Sequence, residues 1–347
     1  MPAMIDLYSD TLTRPTPGMR RAMAEAAVGD EQKREDPTTN RVQEMVAAML
    51  DKEAAVFLPS GTMCNAVAVK VHTQPSDAIL CERSSHVNRS EFGGAAMLSG
   101  VTTEPIDGHR GLFTPQQLEE ALARFHSYGP VPKLVCVEQT HNFGGGSVWP
   151  IDQLRAVCDL AHRRELLTHM DGARLFNACV ATGIPARDFA ACVDSVWIDL
   201  SKGLGCPVGA VLAGTRDFIE RAWRFKHLFG GAMRQSGILA AAGIYALEHH
   251  IERLREDHEN ARLLAAGLAS ICGIRVENPQ PETNIVFFDI CQTGLAGAEF
   301  QARCESAGVR FSGGGTRLRA VTHLDVSRAD IDRAAQIVRS VVAGQLD

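Results

Sequence analysis

The sequence predicts an α/β protein in which a mostly parallel β-sheet is covered by helices and followed by a smaller α+β unit. Two observations carry this. Between residues 50 and 215, short continuous apolar runs alternate with longer stretches of helical periodicity, the pattern of a parallel sheet with crossover helices. From about residue 250 the pattern changes to paired strand-like runs and single helices. The chain has 347 residues, 45% of them hydrophobic, enough for a large core and for two domains. We place the first, with an N-terminal arm, at residues 1–250 and the second at 251–347.

Taken in order, EAAVFLPS (53–60), DAILCE (77–82), KLVCVEQ (133–139), ELLTHMD (165–171), DSVWIDL (194–200) and GAVLAG (209–214) read as buried strands. Each is too short and too continuous to be an amphipathic helix. Between them TPQQLEEALARFH, IDQLRAVCDLAHRR and RDFIERAWRF repeat their apolar residues at helical spacing, with Pro115 and Pro150 where helices begin. A long helical run, GILAAAGIYALEHHIERLREDHENARLLAAGLA, is expected to break near His249–His250. IRVENPQPETNIVFFDI then gives two strand-like runs and AEFQARCESAG a helix. GVRFSGGGTRLRAVTH reads as a hairpin-like segment, and ADIDRAAQIVRSVVAG as a closing helix.

A net charge of −6 argues against nucleic acid or an anionic membrane as the main partner, and no run is long enough for a transmembrane helix. MPAMIDLYSDTLTRP lacks the basic-then-apolar order of a signal peptide, which predicts a cytoplasmic protein. The ten cysteines are scattered, with no C-x-x-C pair and no matching histidine spacing. They predict free thiols in a reducing compartment and no structural metal.

Polar groups recur just after the predicted strands, where open parallel sheets bind ligands. In PSGTMCN, Gly61 would let backbone approach a ligand and Thr62 adds a hydroxyl beside the free N–H groups of a helix start. That is a cradle for a phosphate, or a plain turn capped by Ser60. In HMDGARLFNA, Asp171 ends a strand with Arg174 three residues on. A buried carboxylate there would hold a ring nitrogen protonated, or form a salt bridge or helix cap. Lys202, in DLSKGLGCPVG, is either a loop lysine or a Schiff-base amine in a glycine-lined site. His86, in CERSSHVNRSEFGG, could stack on an aromatic cofactor or be a satisfied or solvent-facing histidine, and Glu91 reads as a solvated charge or a network partner. Together these residues meet the needs of pyridoxal 5′-phosphate: a phosphate cradle, a carboxylate for the pyridine nitrogen, a stacking ring and an anchoring lysine.

At these positions the chain resembles the low-specificity L-threonine aldolases, of the aspartate-aminotransferase-like (fold type I) pyridoxal phosphate enzymes. The shared stretches run almost end to end, including IDLYSDTLTRPTPGM, GDEQKREDPTTNRVQE, FLPSGTMCNAVAV, VEQTHNFGGGSVWP, FGGAMRQSGILAAAGIYAL and RAVTHLDVS. The resemblance implies a seven-stranded sheet, Lys202 as covalent anchor, Asp171 on the pyridine nitrogen, His86 stacked on the ring, and Gly61 and Thr62 on the phosphate. It implies that Ser9, Arg174 and Arg319 hold the substrate carboxylate. Arg234, in GGAMRQ, would reach a neighbouring subunit's phosphate in a homodimer or homotetramer with shared sites. Two departures stand out. Lys33 replaces an aromatic residue of the family pattern, and the second active-site histidine has its counterpart in His126, on a longer loop. The implied reaction cleaves a β-hydroxy-α-amino acid to glycine and an aldehyde. The base is His86 or a water held by His126. β-Elimination or transamination on the same fold, and a catalytically silent scaffold, are the alternatives.

Overall fold

The computed structural model describes residues 4–344. Its contacts divide into two compact units. One is residues 15–251; the other joins the described residues up to Arg14 with those from Glu252 onward. After a two-residue strand β1 (Ile5–Asp6), the larger unit supplies β2 (Ala54–Leu58), β3 (Asp77–Glu82), β4 (Thr102–Ile106), β5 (Val131–Glu138), β6 (Leu167–Gly172), β7 (Ser195–Asp199) and β8 (Ala210–Gly214). These form one seven-stranded sheet in the order β2-β8-β7-β6-β5-β3-β4. The pairs β3–β4, β3–β5, β5–β6 and β6–β7 are parallel, while β8 runs antiparallel to both β7 and β2. All strands but β8 therefore end at the same edge.

The six strands read from the sequence are β2, β3, β5, β6, β7 and β8. Strands β7 and β8 are buried at every residue, which is why they appear as unbroken apolar runs. The seventh, β4, was not read, and the reason is physical. Its sequence TTEPI is largely exposed or half-buried and contains Pro105, which has no N–H to give a ladder. An edge strand pairs on one side only and tolerates both features.

Helix Gly61–His72 and helix Arg216–Leu228 cover one region of the sheet, burying Val56, Leu58, Val67, Leu212 and Phe218 with Trp197. The first is capped by Ser60, whose Oγ accepts from the Met63 N–H at 3.2 Å. Helix Pro115–Leu122 opens on a capping box, Thr114 with Gln117, and carries its proline in the first turn, where a missing N–H costs nothing. The long helical run breaks as expected, into Gly237–His249 and Leu254–Ala269.

In the smaller unit, β9 (Arg275–Val276), β10 (Ile285–Asp289), β12 (Ser312–Gly314) and β13 (Arg317–Val321) make an antiparallel sheet, and β11 (Val309–Arg310) pairs with β1. Strands β12 and β13 are the expected hairpin, turned at Gly315 with φ +58°. Helices Leu254–Ala269 and Arg328–Val342 enclose this unit's core around Phe288, Phe300 and Leu318.

Candidate active site

Because β2, β3, β5, β6 and β7 end together, the segments that follow them converge on one edge. They bring Gly61, His86, Glu138, Asp171 and Lys202 out of positions spread over more than a hundred residues. Asp171 closes β6 opposite Glu138 on β5 and is buried. Its Oδ1 accepts from the Ala173 N–H at 3.1 Å and its Oδ2 from Asn65 Nδ2 at 2.8 Å. Burial and the nearby Glu138 carboxylate push the Asp171 carboxyl up to about 6, although the charges of His86 and Lys202 and the Asn65 hydrogen bond pull it back down.

His86 starts the short helix His86–Arg89, with its backbone N–H on Glu138 Oε2 at 2.7 Å. Its Nδ1 lies 2.8 Å from Glu91 Oε1, and the imidazole is one-third exposed. Burial alone would lower the His86 pKa. The Glu91 hydrogen bond and the Asp171, Glu91 and Glu138 charges outweigh it and hold the group above its ordinary value. Glu91 is not a solvated charge: it is 6% exposed and accepts from both His86 and Asn65. Ligand atoms of His86, Glu91 and Asp171 all lie within 4.8 Å of one another.

Lys202 follows β7, with Nζ 2.7 Å from Asp199 Oδ2 and 5.6 Å from the centre of the Trp197 ring. Asp199 also accepts from the Ser201 N–H and hydroxyl, fixing the start of the SKGLG loop. Packing alone requires a glycine at 61, since a Cβ there would lie 2.1 Å from the Trp197 indole. Thr62 is exposed in the first turn of the helix. The Arg174 side chain is buried, and its N–H donates to the Gln139 carbonyl at 3.1 Å.

The remaining expected residues belong to other segments of the chain. His126 is exposed in the turn before Val131, at the opposite end of β5 from Glu138. Eight extended residues span roughly 25 Å, so within this chain His126 lies at the edge of the sheet away from Asp171. The cause is the strand's direction: the loop preceding a parallel strand opens on the far edge of the sheet. Arg234 is exposed and pairs with Asp30 at 3.2 Å. Lys33 is exposed at the end of the turn Glu31–Lys33. In the smaller unit, Ser9 caps the turn Asp10–Leu12, and Arg319 donates to the carbonyl of its neighbour Tyr8 at 3.2 Å and to Ser312 Oγ at 3.0 Å.

Sequence reasoning missed Asn65, Glu138, His169, Ser195 and His72, all of which stand within or behind this cluster. The signal was present: Asn65 is a single polar residue inside an apolar run, and Thr168–His169 and Asp194–Ser195 are polar pairs within or at the start of strand-like runs, and such residues are inside only when something inside bonds them.

The donor set fits pyridoxal phosphate. A capped helix start offers N–H groups for an anion, and a buried carboxylate whose charge is costly calls for a cationic partner such as a protonated ring nitrogen. Lys202 brings a primary amine to the same edge. A model of the beta-eliminating lyase family matches residues 6–291. A low specificity L-threonine aldolase of Escherichia coli (strain K12) is 40% identical over 341 residues, covering 98% of this chain and 100% of its own. Low-specificity L-threonine aldolase 1 of Arabidopsis thaliana is 38% identical over 334 residues, 94% of this chain and 93% of its own. A solved structure of Leishmania major threonine aldolase superposes with a TM-score of 0.83 over 97% of this chain and 99% of that one, at 20% identity, a likeness of fold. A family match over residues 6–291 and relatives that align with 94–98% of the chain mean that the protein belongs to the beta-eliminating lyase family, among the low-specificity L-threonine aldolases.

Proposed function

We propose that the protein cleaves L-threonine, L-allo-threonine or a related β-hydroxy-α-amino acid to glycine and an aldehyde, with pyridoxal phosphate as cofactor. The observation that carries this is the buried Asp171 carboxylate, pushed up to about 6, at the same sheet edge as His86 and Lys202. Pyridoxal phosphate, when bound, supplies an electron sink for the bond broken at the substrate's α-carbon. Asp171 would accept from its ring nitrogen, and the helix start at Gly61 and Thr62 would hold its phosphate. Lys202, steered by Asp199, provides the anchoring amine.

His86 is the base we favour. A carboxylate oxygen faces Nδ1, so Nδ1 carries the hydrogen and Nε2 is left to accept the β-hydroxyl proton. Arg174 offers a buried guanidinium for the substrate carboxylate; the parts expected of Ser9 and Arg319 in that clamp rest on the resemblance. A homodimer or homotetramer in which Arg234 serves a neighbouring subunit's phosphate is part of the same proposal, supported by the exposure of that side chain.

The test is a panel of β-hydroxy amino acids with glycine, aldehyde, keto acid and ammonia all measured. Glycine with an equimolar aldehyde is expected, and Lys202→Ala should abolish both. A keto acid with ammonia, and no glycine, would assign the chain to β-elimination instead.

A further inference from the structure

Asn65 lies near the start of helix Gly61–His72, is 1% exposed, and uses every polar valence it has. Trp197 Nε1 can only donate, so the atom facing it at 2.7 Å is the amide oxygen. The amide nitrogen then faces Asp171 Oδ2 at 2.8 Å and Glu91 Oε1 at 2.7 Å, one hydrogen for each carboxylate. The oxygen's second partner is His169 Nε2 at 3.1 Å, which must carry a hydrogen to donate. Burial and the neighbouring His72 push His169 down to about 3 against an upward pull from the Ser195 backbone, so the ring is neutral and, with the hydrogen on Nε2, its Nδ1 is bare. Ser195 Oγ, 2.8 Å from that Nδ1, is therefore the donor there. With its hydrogen so used, Ser195 accepts from His72 Nε2 at 2.7 Å. Burial pushes His72 down to about 4, so it too is neutral. Every hydrogen from His72 through Ser195, His169 and Asn65 to Asp171 points the same way.

We infer that Asn65 is a positioning residue whose amide holds Asp171 as an ionised, aimed acceptor, locked in that orientation by Trp197 and by a one-way relay from His72 through Ser195 and His169. The inference rests on Asp171 being the partner of the cofactor's ring nitrogen. An apolar residue at 65 would take one donor from each of two buried carboxylates and leave two ring N–H groups without an acceptor. An amide turned over would set oxygen against both carboxylates. The relay prevents that turn, because His169 can offer only an N–H at this position.

The relay is tested first in the full-length protein without cofactor, by nitrogen NMR of labelled histidines near neutral pH. His169 and His72 are both expected as neutral rings protonated at Nε2. Finding His169 protonated at Nδ1, or at both nitrogens, overturns the relay. Next, Asn65→Asp replaces two donors with a third carboxylate. Its affinity for pyridoxal phosphate is expected to fall roughly tenfold or more, the equivalent of one pKa unit. The resonance of nitrogen-labelled cofactor should move from the protonated toward the unprotonated position. Unchanged affinity with an unmoved resonance overturns the positioning role. Should that variant not fold, Ser195→Ala removes only the hydroxyl between the two rings and is expected to mix the His169 tautomers; a single unchanged tautomer overturns the relay. A failed aldolase assignment would instead appear as no glycine from the wild type while the tautomers remain as described.

Discussion

Glu91 changes what His86 can do. The carboxylate is buried, receives Nδ1–H of His86 at 2.8 Å, and adds its charge to those of Asp171 and Glu138. All three stabilise the imidazolium, so the pKa of His86 is raised and the neutral, proton-accepting form dominates only above that raised value. The acidic limb of kcat/KM reports this ionisation in the free enzyme. Replacing Glu91 with Gln keeps an acceptor but removes a charge, which lowers the His86 pKa. The limb is expected to move to lower pH by about one unit, as loss of a nearby opposite charge does. A limb that stays where it was would mean that another group accepts the proton. At this scale the sequence was legible where a polar residue lies at or within four residues of the end of a predicted strand, as at His86, Asp171 and Lys202. It was not legible for Asn65, because the partners that define it lie 26, 104, 106 and 132 residues away.

Among the elements, periodicity identified those strands whose burial is continuous and the helices with one apolar face. It failed at β4, an edge strand whose exposed residues and Pro105 obey weaker constraints. It also said nothing of the tie between helix Arg216–Leu228 and the turn Glu31–Lys33. Lys226 on that helix is fully buried and paired with Glu31, which is 2% exposed. Glu31 Oε2 accepts from the Met233 N–H at 3.1 Å, its own N–H donates to the Arg234 carbonyl at 3.0 Å, and the Gly231 N–H donates to the Lys226 carbonyl at 2.8 Å. One ion pair thus braces the loop that presents Arg234. A lysine in a helical run reads as solvated, so no local pattern announces it. Lys226→Met leaves the carboxylate buried alone and is expected to lower unfolding stability by about 3–5 kcal/mol. Adding Glu31→Gln should restore part of the loss. Urea unfolding of the two variants decides this, and a single variant as stable as wild type would show that Glu31 carries no charge.

For the whole molecule, the apolar helix Gly237–His249 buries most of its apolar side chains within its own chain. Ala240, Ala242 and Ala246 are inaccessible, and Gly243 is packed so closely that a Cβ would meet Leu200 at 2.9 Å. Exposed apolar side chains among the described residues include Ile238 on this helix, 46% exposed, and others outside it. Phe92 and Met97 are almost wholly exposed, Phe92 with a left-handed φ of 53°, and Leu228, six residues before the exposed Arg234, is 69% exposed. Large apolar side chains exposed in this way are what a second copy of the chain would cover. If Arg234 serves a neighbouring subunit, loss of assembly and loss of cofactor affinity must come together. Leu228→Glu places a charge beside the Arg234 loop without touching Asp171, His86 or Lys202. Light scattering is expected to show the wild type as a dimer or tetramer and the variant as a smaller species. The variant's specific activity should fall on dilution and recover with excess pyridoxal phosphate. A wild type that is monomeric and fully active at the lowest measurable concentration would instead mean that each chain completes its own site.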